Sequence, residues 1–337
     1  MVGHDRLKSD PLNFFKNCHL CPRDCGVNRL DRERVVRSSF CGESSQLRVA
    51  YVGPHFGEEP PITGKKGSGT IFFSGCSLKC VTCQNHQISR DGLGKTMPLH
   101  ELYHRLEDMI RIDGVHNINF VTPDHFFPHV FRLVDLLRRH GQDLPVIYNL
   151  SGYQSTASLK QAEEHVDIYL PDFKYADPAL SKLLSKCEHY PNVALDAISE
   201  MVKQKGFLDA AVRGTDLAQK GVLVRHMILP GEVRNSLDAL TSLFLEFGRT
   251  LPISLMSQYY PVCPQEKINL NRPITQEEFD EVYSHALDLG YENLFVQFPH
   301  KRSSIQSHPP SFLPDFRQKN PFPRRAKEPP SVLDTKI

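Results

Sequence analysis

Short apolar runs rich in β-branched and aromatic residues recur along the middle of the chain and predict strands. They cover residues 47–53, 70–75, 117–122, 145–152, 166–174, 222–231, 253–261 and 293–298. Several are apolar without alternation, which is typical of strands covered on both faces by other elements. The pattern therefore predicts a buried sheet.

Amphipathic stretches with a helical repeat lie between these runs. In residues 99–112, the side chains of Leu102, Leu106, Met109 and Ile110 share one helical face. Residues 129–141 end in basic residues and a glycine, as helices do, and residues 275–290 begin with a Thr-x-x-Glu capping box. About six alternations of strand and helix predict an α/β protein with a parallel sheet, and favour a partial barrel over a complete eight-fold one.

Composition divides the chain into three parts. Residues 1–48 hold four cysteines and little periodicity, and residues 49–300 carry the alternating strands and helices. Residues 301–337 are rich in proline, with eight Lys or Arg against three Asp or Glu. Because such a composition cannot form a core, we expect a flexible basic tail. A basic docking tail is the alternative.

Charge and hydropathy exclude several classes of partner. The 337 residues carry a formal net charge of +1, which gives no indication of nucleic acid as a partner. No apolar run reaches the roughly 18 residues of a membrane span, and the N-terminus lacks the layout of an export signal. The nine cysteines are then expected to be thiols or metal ligands in a reducing, cytoplasmic compartment.

Three cysteines with the spacing C-x3-C-x2-C follow the predicted strand 70–75. Three thiolates, from Cys76, Cys80 and Cys83, are enough to bind three irons of a four-iron, four-sulfur cluster and leave the fourth iron open. The alternative is a closed site, completed by Cys187 or Cys263 from a distant part of the chain. Spacing alone does not decide between them. Active sites of parallel α/β folds gather at the carboxyl ends of strands, where this triplet falls.

The segment "GCSLKCVTCQN", which contains the three cysteines, resembles the signature of the radical S-adenosylmethionine (SAM) superfamily. Residues 58–89, 167–177 and 221–231 are similar to the branch that resembles pyruvate formate-lyase activating enzymes. This resemblance covers roughly residues 18–298 and implies a partial (β/α)6 barrel with a 4Fe-4S cluster. It also implies that SAM binds the open iron and is cleaved reductively to a 5′-deoxyadenosyl radical, which abstracts hydrogen from the substrate.

The same resemblance implies a set of cofactor-contacting residues. Asp172 and Lys174 match positions beside the cofactor's carboxylate, although a strand-end ion pair is the ordinary alternative. His226 matches a position near the adenosyl group, and a satisfied core histidine is its alternative. Asn149 and Ser151 match a polar strand end that faces the cofactor, where a helix N-cap is the other interpretation.

Two departures from the family pattern concern the cofactor. The family usually has an aromatic residue before the last cysteine, and this chain has Thr82. Its Gly-Gly-Glu-like motif, which takes the methionine amino group, is replaced by "VTPDHF". Thr122 and Asp124 of that segment are the oxygen donors we expect in its place.

The N-terminal region has a second cysteine set, Cys18, Cys21, Cys25 and Cys41, with the spacing C-x2-C-x3-C-x15-C. Four thiolates suit zinc or an auxiliary iron–sulfur cluster, and unligated thiols are the further alternative. The nearby arginines are candidates for steering an acidic electron donor, although a solvated face is the ordinary interpretation; they are Arg23, Arg29, Arg32, Arg34 and Arg37.

The resulting expectation is a radical SAM enzyme that acts on a protein or peptide substrate and receives electrons from a flavodoxin- or ferredoxin-like donor. A non-catalytic metal-binding or electron-carrying protein is one alternative. A radical SAM enzyme that acts on a small molecule is the other.

Overall fold

A largely parallel sheet forms the centre of the computed structural model, which describes residues 13–31, 38–210, 217–299, 310 and 312–322, and the backbone of 332–335. Its strands, in chain order, are β1 (Arg48–His55), β2 (Ser68–Phe73), β3 (Lys95–Thr96), β4 (Ile118–Val121), β5 (Val146–Leu150), β6 (Ile168–Pro171), β7 (Gly221–Val222), β8 (Val224–Met227), β9 (Ile253–Met256), β10 (Leu294–Gln297) and β11 (Val332–Thr335).

The strands form two ladders that meet at one bridge. The first has the order β3-β1-β2-β4-β5-β6-β7, and the second has the order β11-β10-β9-β8. A parallel bridge between Asp172 and Arg225 joins the end of β6 to β8. Every neighbouring pair from β2 to β10 is parallel, which confirms the predicted α/β partial barrel.

The first predicted strand does not belong to the parallel series. β1 pairs antiparallel with β2 and with β3. A parallel connection needs a crossover of about a dozen residues or more, usually with a helix. Between β1 and β2 there is only a short loop with the four-residue helix Pro60–Thr63, so the chain turns back beside β1.

The longer helices are α1 (Leu99–Asp108), α2 (Phe127–Arg139), α3 (Thr156–Ala162), α4 (Pro178–Ser185), α5 (Tyr190–Lys205), α6 (Val233–Phe247) and α7 (Gln276–Asp288). The predicted apolar face of α1 is buried, and Thr275 and Glu278 form the predicted capping box of α7. None of the described helices is long and apolar enough to cross a membrane.

The two faces of the sheet have different side chains. On the face toward the helices, four neighbouring strands contribute Phe73, Phe120, Tyr148 and Tyr169. The ring centroids of successive residues in this row are 6.1 to 6.3 Å apart. The alternate positions of β5 and β6 belong to a separate apolar cluster inside the barrel, and those of β2 and β4 belong to another. That interior also holds Arg225, which is 7% exposed and pairs with the carboxylates of Glu58 and Glu59.

Residues 312–322 of the C-terminal segment, for which the sequence predicts a flexible tail, pack against the barrel. Phe316 is only 9% exposed and clusters with Phe72, Ile88 and Val121. The backbone of Val332–Thr335 pairs antiparallel with β10. The aromatic residues among the prolines supply the apolar surface that the composition argument discounted.

Candidate functional site

The three cysteines of the C-x3-C-x2-C motif lie on one loop at the carboxyl end of β2. The loop is tightly turned, with Lys79 at a φ of 50° and the amide of Cys83 donating to the carbonyl of Cys80 at 3.2 Å. Residues Cys76, Cys80 and Cys83 all carry free thiols. The structure therefore places the triplet at the edge of the sheet where the sequence predicts chemistry.

Each thiol of this loop has its own hydrogen-bond donor. The hydroxyl of Ser185 lies 3.0 Å from Cys80 Sγ, and that of Ser89 lies 3.4 Å from Cys83 Sγ. The Leu78 amide lies 3.3 Å from Cys76 Sγ. Hydrogen bonds of this kind stabilise a thiolate and tune a metal centre bound to it.

The thiols also repel one another's negative charge. Burial raises the pKa of Cys76 to about 12, and charge on Cys80 and Cys83 adds to the effect. Burial, followed by charge on Cys80, likewise raises the pKa of Cys83. Three neighbouring thiolates therefore need a positive charge, which a bound iron cluster supplies.

The two remaining cysteines lie close to the loop but have other contacts. Cys187 is 1% exposed, and its sulfur is 3.8 Å from His189 Nε2. Cys263 Sγ lies 3.5 Å from Arg90 Nη2. A closed site completed by one of these two cysteines stays a prediction.

Asp172 and Lys174 form an ion pair at the end of β6, with Lys174 Nζ 2.5 Å from Asp172 Oδ2. Burial lowers the pKa of Lys174, but the negative charges of Asp172 and Cys80 outweigh it and raise the pKa overall. The ammonium group is thus protonated and electrostatically coupled to the cysteine loop. This supports its predicted position beside the site and also fits the predicted alternative of a strand-end ion pair.

Tyr190 fixes the ends of β5 and β6 relative to each other. Its hydroxyl accepts from the amide of Lys174 and lies 2.9 Å from the carbonyls of Ser151 and Asp172. Gly152 makes this approach possible, because its φ is +78° and a Cβ would lie 2.2 Å from the Asp172 carbonyl. No local sequence pattern indicates this role for Tyr190, since its contacts come from the ends of two strands.

Thr122 adopts a backbone conformation that β-branched residues rarely take. It follows β4 directly with a φ of 55°, and its amide donates to the carbonyl of Asn149 at 2.9 Å. A left-handed conformation at such a residue is a genuine outlier, and outliers of this kind cluster at functional sites. Thr122 and Asn149 thus lie at adjacent strand ends, and both are partly exposed.

Asp124 is buried and incompletely paired. Its Oδ2 accepts from the hydroxyl of Ser77 at 3.1 Å, whereas Oδ1 has no partner among the described residues. Burial raises the pKa of Asp124 to about 6. As Asp124 has no exposed surface, a cofactor reaches it only if neighbouring groups move.

Ser151 is 8% exposed, and its hydroxyl contacts the amide group of Gln154 at 3.4 Å rather than a helix N-terminus.

His226 is a buried residue of β8, which fits its alternative of a satisfied core histidine, and its predicted place near the adenosyl group stays a prediction. It has no exposed surface, and burial lowers its pKa to about 4. Its Nδ1 lies 2.6 Å from the Phe173 carbonyl, and its Nε2 lies 2.9 Å from Ser236 Oγ. Both ring nitrogens are therefore occupied, one in joining β8 to the segment after β6 and the other in joining β8 to α6.

Thr82 is buried, with 6% of its surface exposed. Its neighbour Val81 accepts hydrogen bonds at the carbonyl from Gln265 Nε2 at 3.2 Å and from Arg90 Nη1 at 3.4 Å. The position that the family fills with an aromatic residue is therefore enclosed by the protein's own side chains.

The N-terminal cysteines fold against the same edge of the barrel. Burial raises the pKa of Cys21, and the charges of Asp124, Cys41 and Cys18 add to the rise. Burial also raises the pKa of Cys41, which Arg29 opposes. No group of three or more His, Cys, Asp or Glu side chains in the described parts of the chain is placed to hold a single metal ion. A metal at Cys18, Cys21, Cys25 and Cys41 stays a prediction.

Two of the predicted steering arginines have structural contacts instead. Arg29 has no exposed surface and donates to the carbonyls of Glu43, Ser44 and His125. Arg23 donates to the carbonyls of Ser77, Ser185 and Lys186. These contacts hold both guanidinium groups in place, although Arg23 stays partly exposed; Arg32, Arg34 and Arg37 lie outside the described residues.

The side chains of the loop fit an iron–sulfur cluster better than a mononuclear ion. A cluster binds each thiolate through a different iron, so the thiolates need not converge on one point. Three thiols with three separate donors, close to a protonated Lys174, meet that requirement; Cys80 is buried, and Cys76 and Cys83 are partly exposed. The strained Thr122 and the exposed part of Asn149 lie at the neighbouring strand ends, where a polar cofactor would contact them.

Comparison with known proteins gives a family match. Residues 70–244 match the model of the Radical SAM superfamily. The chain is also 31% identical over 297 residues to "Uncharacterized protein MJ0674" of Methanocaldococcus jannaschii, covering 83% of this chain and 78% of that protein.

Solved structures with a related arrangement are more distant. Methylornithine synthase (PylB) has a TM-score of 0.42 and 14% identity over 71% of this chain and 74% of its own. The [FeFe]-hydrogenase maturase HydG has a TM-score of 0.47 and 11% identity over 70% of this chain and 52% of its own. Streptococcus suis SuiB bound to S-adenosylmethionine has a TM-score of 0.42 and 10% identity over 69% of this chain and 47% of its own.

Proposed function

Because the chain belongs to the radical SAM superfamily, we propose that it cleaves SAM reductively and abstracts hydrogen from a protein or peptide substrate, as activating enzymes do. The observation that carries this proposal is the loop of Cys76, Cys80 and Cys83, each with a separate hydrogen-bond donor, at a strand end beside Lys174. When bound, the cluster and SAM supply the electron transfer and the radical.

The protein's own residues would bind and orient these groups. The three cysteines hold the cluster, and the hydroxyls of Ser185 and Ser89 stabilise charge on two of the thiolates. Lys174 is protonated and offers a cation to a carboxylate. Thr122 and Asn149 offer polar atoms at the next two strand ends. Together these contacts would fix the cofactor over the barrel opening and keep water from the reacting atoms.

The reaction is tested by anaerobic reconstitution with iron and sulfide, followed by dithionite and SAM. We expect 5′-deoxyadenosine to form, and we expect none above background with Cys80→Ala. A cluster whose electron-spin resonance spectrum is unchanged by SAM, with no 5′-deoxyadenosine, would reject the enzyme and favour an electron-carrying or metal-binding role.

The substrate class is tested with extract from cells grown in heavy water, because hydrogen abstraction transfers deuterium into 5′-deoxyadenosine. The extract is separated by size into macromolecules and small molecules, and each fraction is added to the reconstituted enzyme. Deuterium transfer from the macromolecular fraction supports a protein or peptide substrate. Deuterium transfer from the small-molecule fraction alone would show that the substrate is a small molecule and would overturn that part of the proposal.

We also propose that Cys18, Cys21, Cys25 and Cys41 bind zinc or a second cluster. Support comes from Arg29, a fully buried cation that forms no ion pair with any described carboxylate and lies 3.7 Å from Cys18 Sγ. Metal-bound thiolates would provide the negative charge that a buried guanidinium requires. Metal analysis of the protein and of Cys18→Ser tests this, and an unchanged metal content would reject it.

The electron donor we propose is a flavodoxin- or ferredoxin-like protein. With Arg23 and Arg29 engaged in internal contacts, its docking would depend on other surfaces. Replacing dithionite by a reduced flavodoxin or ferredoxin in the cleavage assay tests this partner directly. The absence of 5′-deoxyadenosine with either donor would count against it.

A further inference from the structure

The segment Phe312–Phe322 covers an apolar wall of the barrel next to the candidate site. We call the segment the strap. The wall consists of Tyr51, Phe72, Ile88 and Val121. Phe72 is four residues before Cys76, and Val121 directly precedes Thr122. The surface beneath the strap is therefore continuous with the cysteine loop and with the strained strand end.

Two aromatic anchors hold the strap on this wall. Phe316 and Phe322 pack against Phe72 with ring centroids 5.3 and 5.2 Å apart, respectively. Phe322 also lies 5.6 Å from the Tyr51 ring and 4.3 Å from the His55 ring. Both anchors come from one turn, closed by the amide of Asp315 donating to the Pro321 carbonyl at 3.1 Å.

One side chain of the barrel recognises the strap in the way an enzyme recognises a peptide. Gln87 accepts from the amide of Phe316 at 2.7 Å and donates to the carboxylate of Asp315 at 3.1 Å. It therefore contacts both the main chain and an acidic side chain. Gln87 lies four residues after Cys83, in the short helix His86–Ser89 that also carries the donor to Cys83.

The strap is attached in a way that permits displacement. In the described part of the chain, its backbone–backbone hydrogen bonds join only residues between Pro310 and Pro321, and none of them reaches a strand of the barrel. Residues 317–320 are exposed. A peptide that presents the same anchors can therefore compete for the wall without breaking a sheet ladder.

We propose that this wall is the docking site for the polypeptide substrate, and that the strap occupies it until the substrate displaces it. This inference rests on the proposed function, because the docked polypeptide is a substrate only if the protein acts on a protein or peptide. The recognised peptide would carry an acidic residue followed by an aromatic one, with a second aromatic residue brought close by a turn.

The first test measures binding in trans to the full chain. The probe is a fluorescently labelled peptide of residues 313–322, "LPDFRQKNPF", and the protein carries Phe316→Ala and Phe322→Ala to empty the wall. We expect fluorescence anisotropy to report binding at least tenfold tighter to this variant than to the wild type. A peptide with both phenylalanines replaced by alanine should not bind. Equal binding to wild type and variant, or binding to neither, would overturn the proposal.

A second test does not depend on that double variant. The chain has no tryptophan, so Phe322→Trp provides a single reporter in the strap. In this background, Gln87→Ala should increase acrylamide quenching at least twofold, whereas Lys319→Ala, at an exposed strap position, should leave it unchanged. Equal quenching in all three proteins would show that the strap stays in place without the Gln87 contacts, and this would overturn the proposal.

Neither measurement requires a cluster or SAM, so the two proposals fail separately. Peptide binding without SAM cleavage would reject the proposed reaction and retain the docking site. SAM cleavage without peptide binding or strap opening would reject the docking site alone.

Discussion

The hydroxyl of Ser185 lies 3.0 Å from the sulfur of Cys80, although 105 residues separate them in the chain. The same hydroxyl lies 2.9 Å from the hydroxyl of Tyr175. Helix α4 ends at Ser185 and packs this end against the cysteine loop, where the amide of Val81 donates to the carbonyl of Leu184 at 2.9 Å. A buried donor of this kind adjusts the energy of charge on the sulfur.

Replacing Ser185 by alanine should make the reduction potential of the reconstituted cluster more negative. The reason is that hydrogen bonds to cluster sulfurs stabilise the more negatively charged, reduced state. A redox titration followed by electron-spin resonance measures the shift. Ser242→Ala, on α6 with its hydroxyl bonded to the Asp238 carbonyl, is the matched control. Equal potentials for both variants would show that the Ser185 contact does not tune the cluster.

Replacing Cys80 by alanine should abolish SAM cleavage and remove iron from the loop, whereas Cys187→Ala should do neither. Cys80 is one of three thiols on the turn after β2, and Cys187 contacts His189. Iron content and 5′-deoxyadenosine yield are the measurements. If Cys187→Ala, or Cys263→Ala in the same assay, removes as much iron as Cys80→Ala, that cysteine is the fourth ligand and the site is closed.

Replacing Lys174 by methionine should weaken SAM binding about tenfold to a hundredfold. A hydrogen bond to a charged group contributes about 1.5–3 kcal/mol, and the protonated ammonium is the cation next to the loop that we expect to meet the cofactor's carboxylate. Equilibrium binding to the reconstituted protein provides the affinity, and the cluster's absorption should remain unchanged.

Lys182→Met is the control for that variant, because Lys182 pairs with Glu188 at the surface. If both variants bind SAM as the wild type does, Lys174 serves the ion pair with Asp172 and not the cofactor.

Replacing Thr122 by glycine should leave stability unchanged or raise it by up to about 1.6 kcal/mol. The left-handed conformation costs an ordinary residue roughly 1–2 kcal/mol, and the entropy of glycine in the unfolded chain offsets about 0.4–1 kcal/mol. Urea unfolding measures the change. Gly141→Ala is the opposite control, since its φ is +76° and nothing lies within 4 Å of an added Cβ, so it should destabilise by about 1 kcal/mol. If Thr122→Gly lowers the free energy of unfolding by more than Gly141→Ala does, the threonine side chain stabilises the strand end.

The parts of the fold that were predictable are those encoded by local patterns. The capping box of α7 and the buried face of α1 depend on residues within one or two turns, and the cysteine triplet needs only its spacing and the strand before it. Antiparallel pairing of β1 was missed because an apolar run carries no sign of its direction. Loop length was the available clue.

The site was less predictable because its supporting residues come from distant elements. Tyr190 joins two strand ends, and Ser185 reaches the cysteine loop from α4; neither stands in a recognisable motif. His226 was singled out by its match to the family pattern, and its contacts with Phe173 and Ser236 come from elements outside that pattern. Thr122 was singled out for its oxygen atom, and its unusual φ could not be read from its type.

Arg23 has a consequence for how the chain is made. Its guanidinium donates to the carbonyls of Ser185 and Lys186, which follow it by 162 and 163 residues. During synthesis on the ribosome, the N-terminal cysteines emerge long before these acceptors exist. This segment therefore reaches these contacts only after the chain up to Lys186 has emerged, and any metal that binds it earlier does so on an undocked segment.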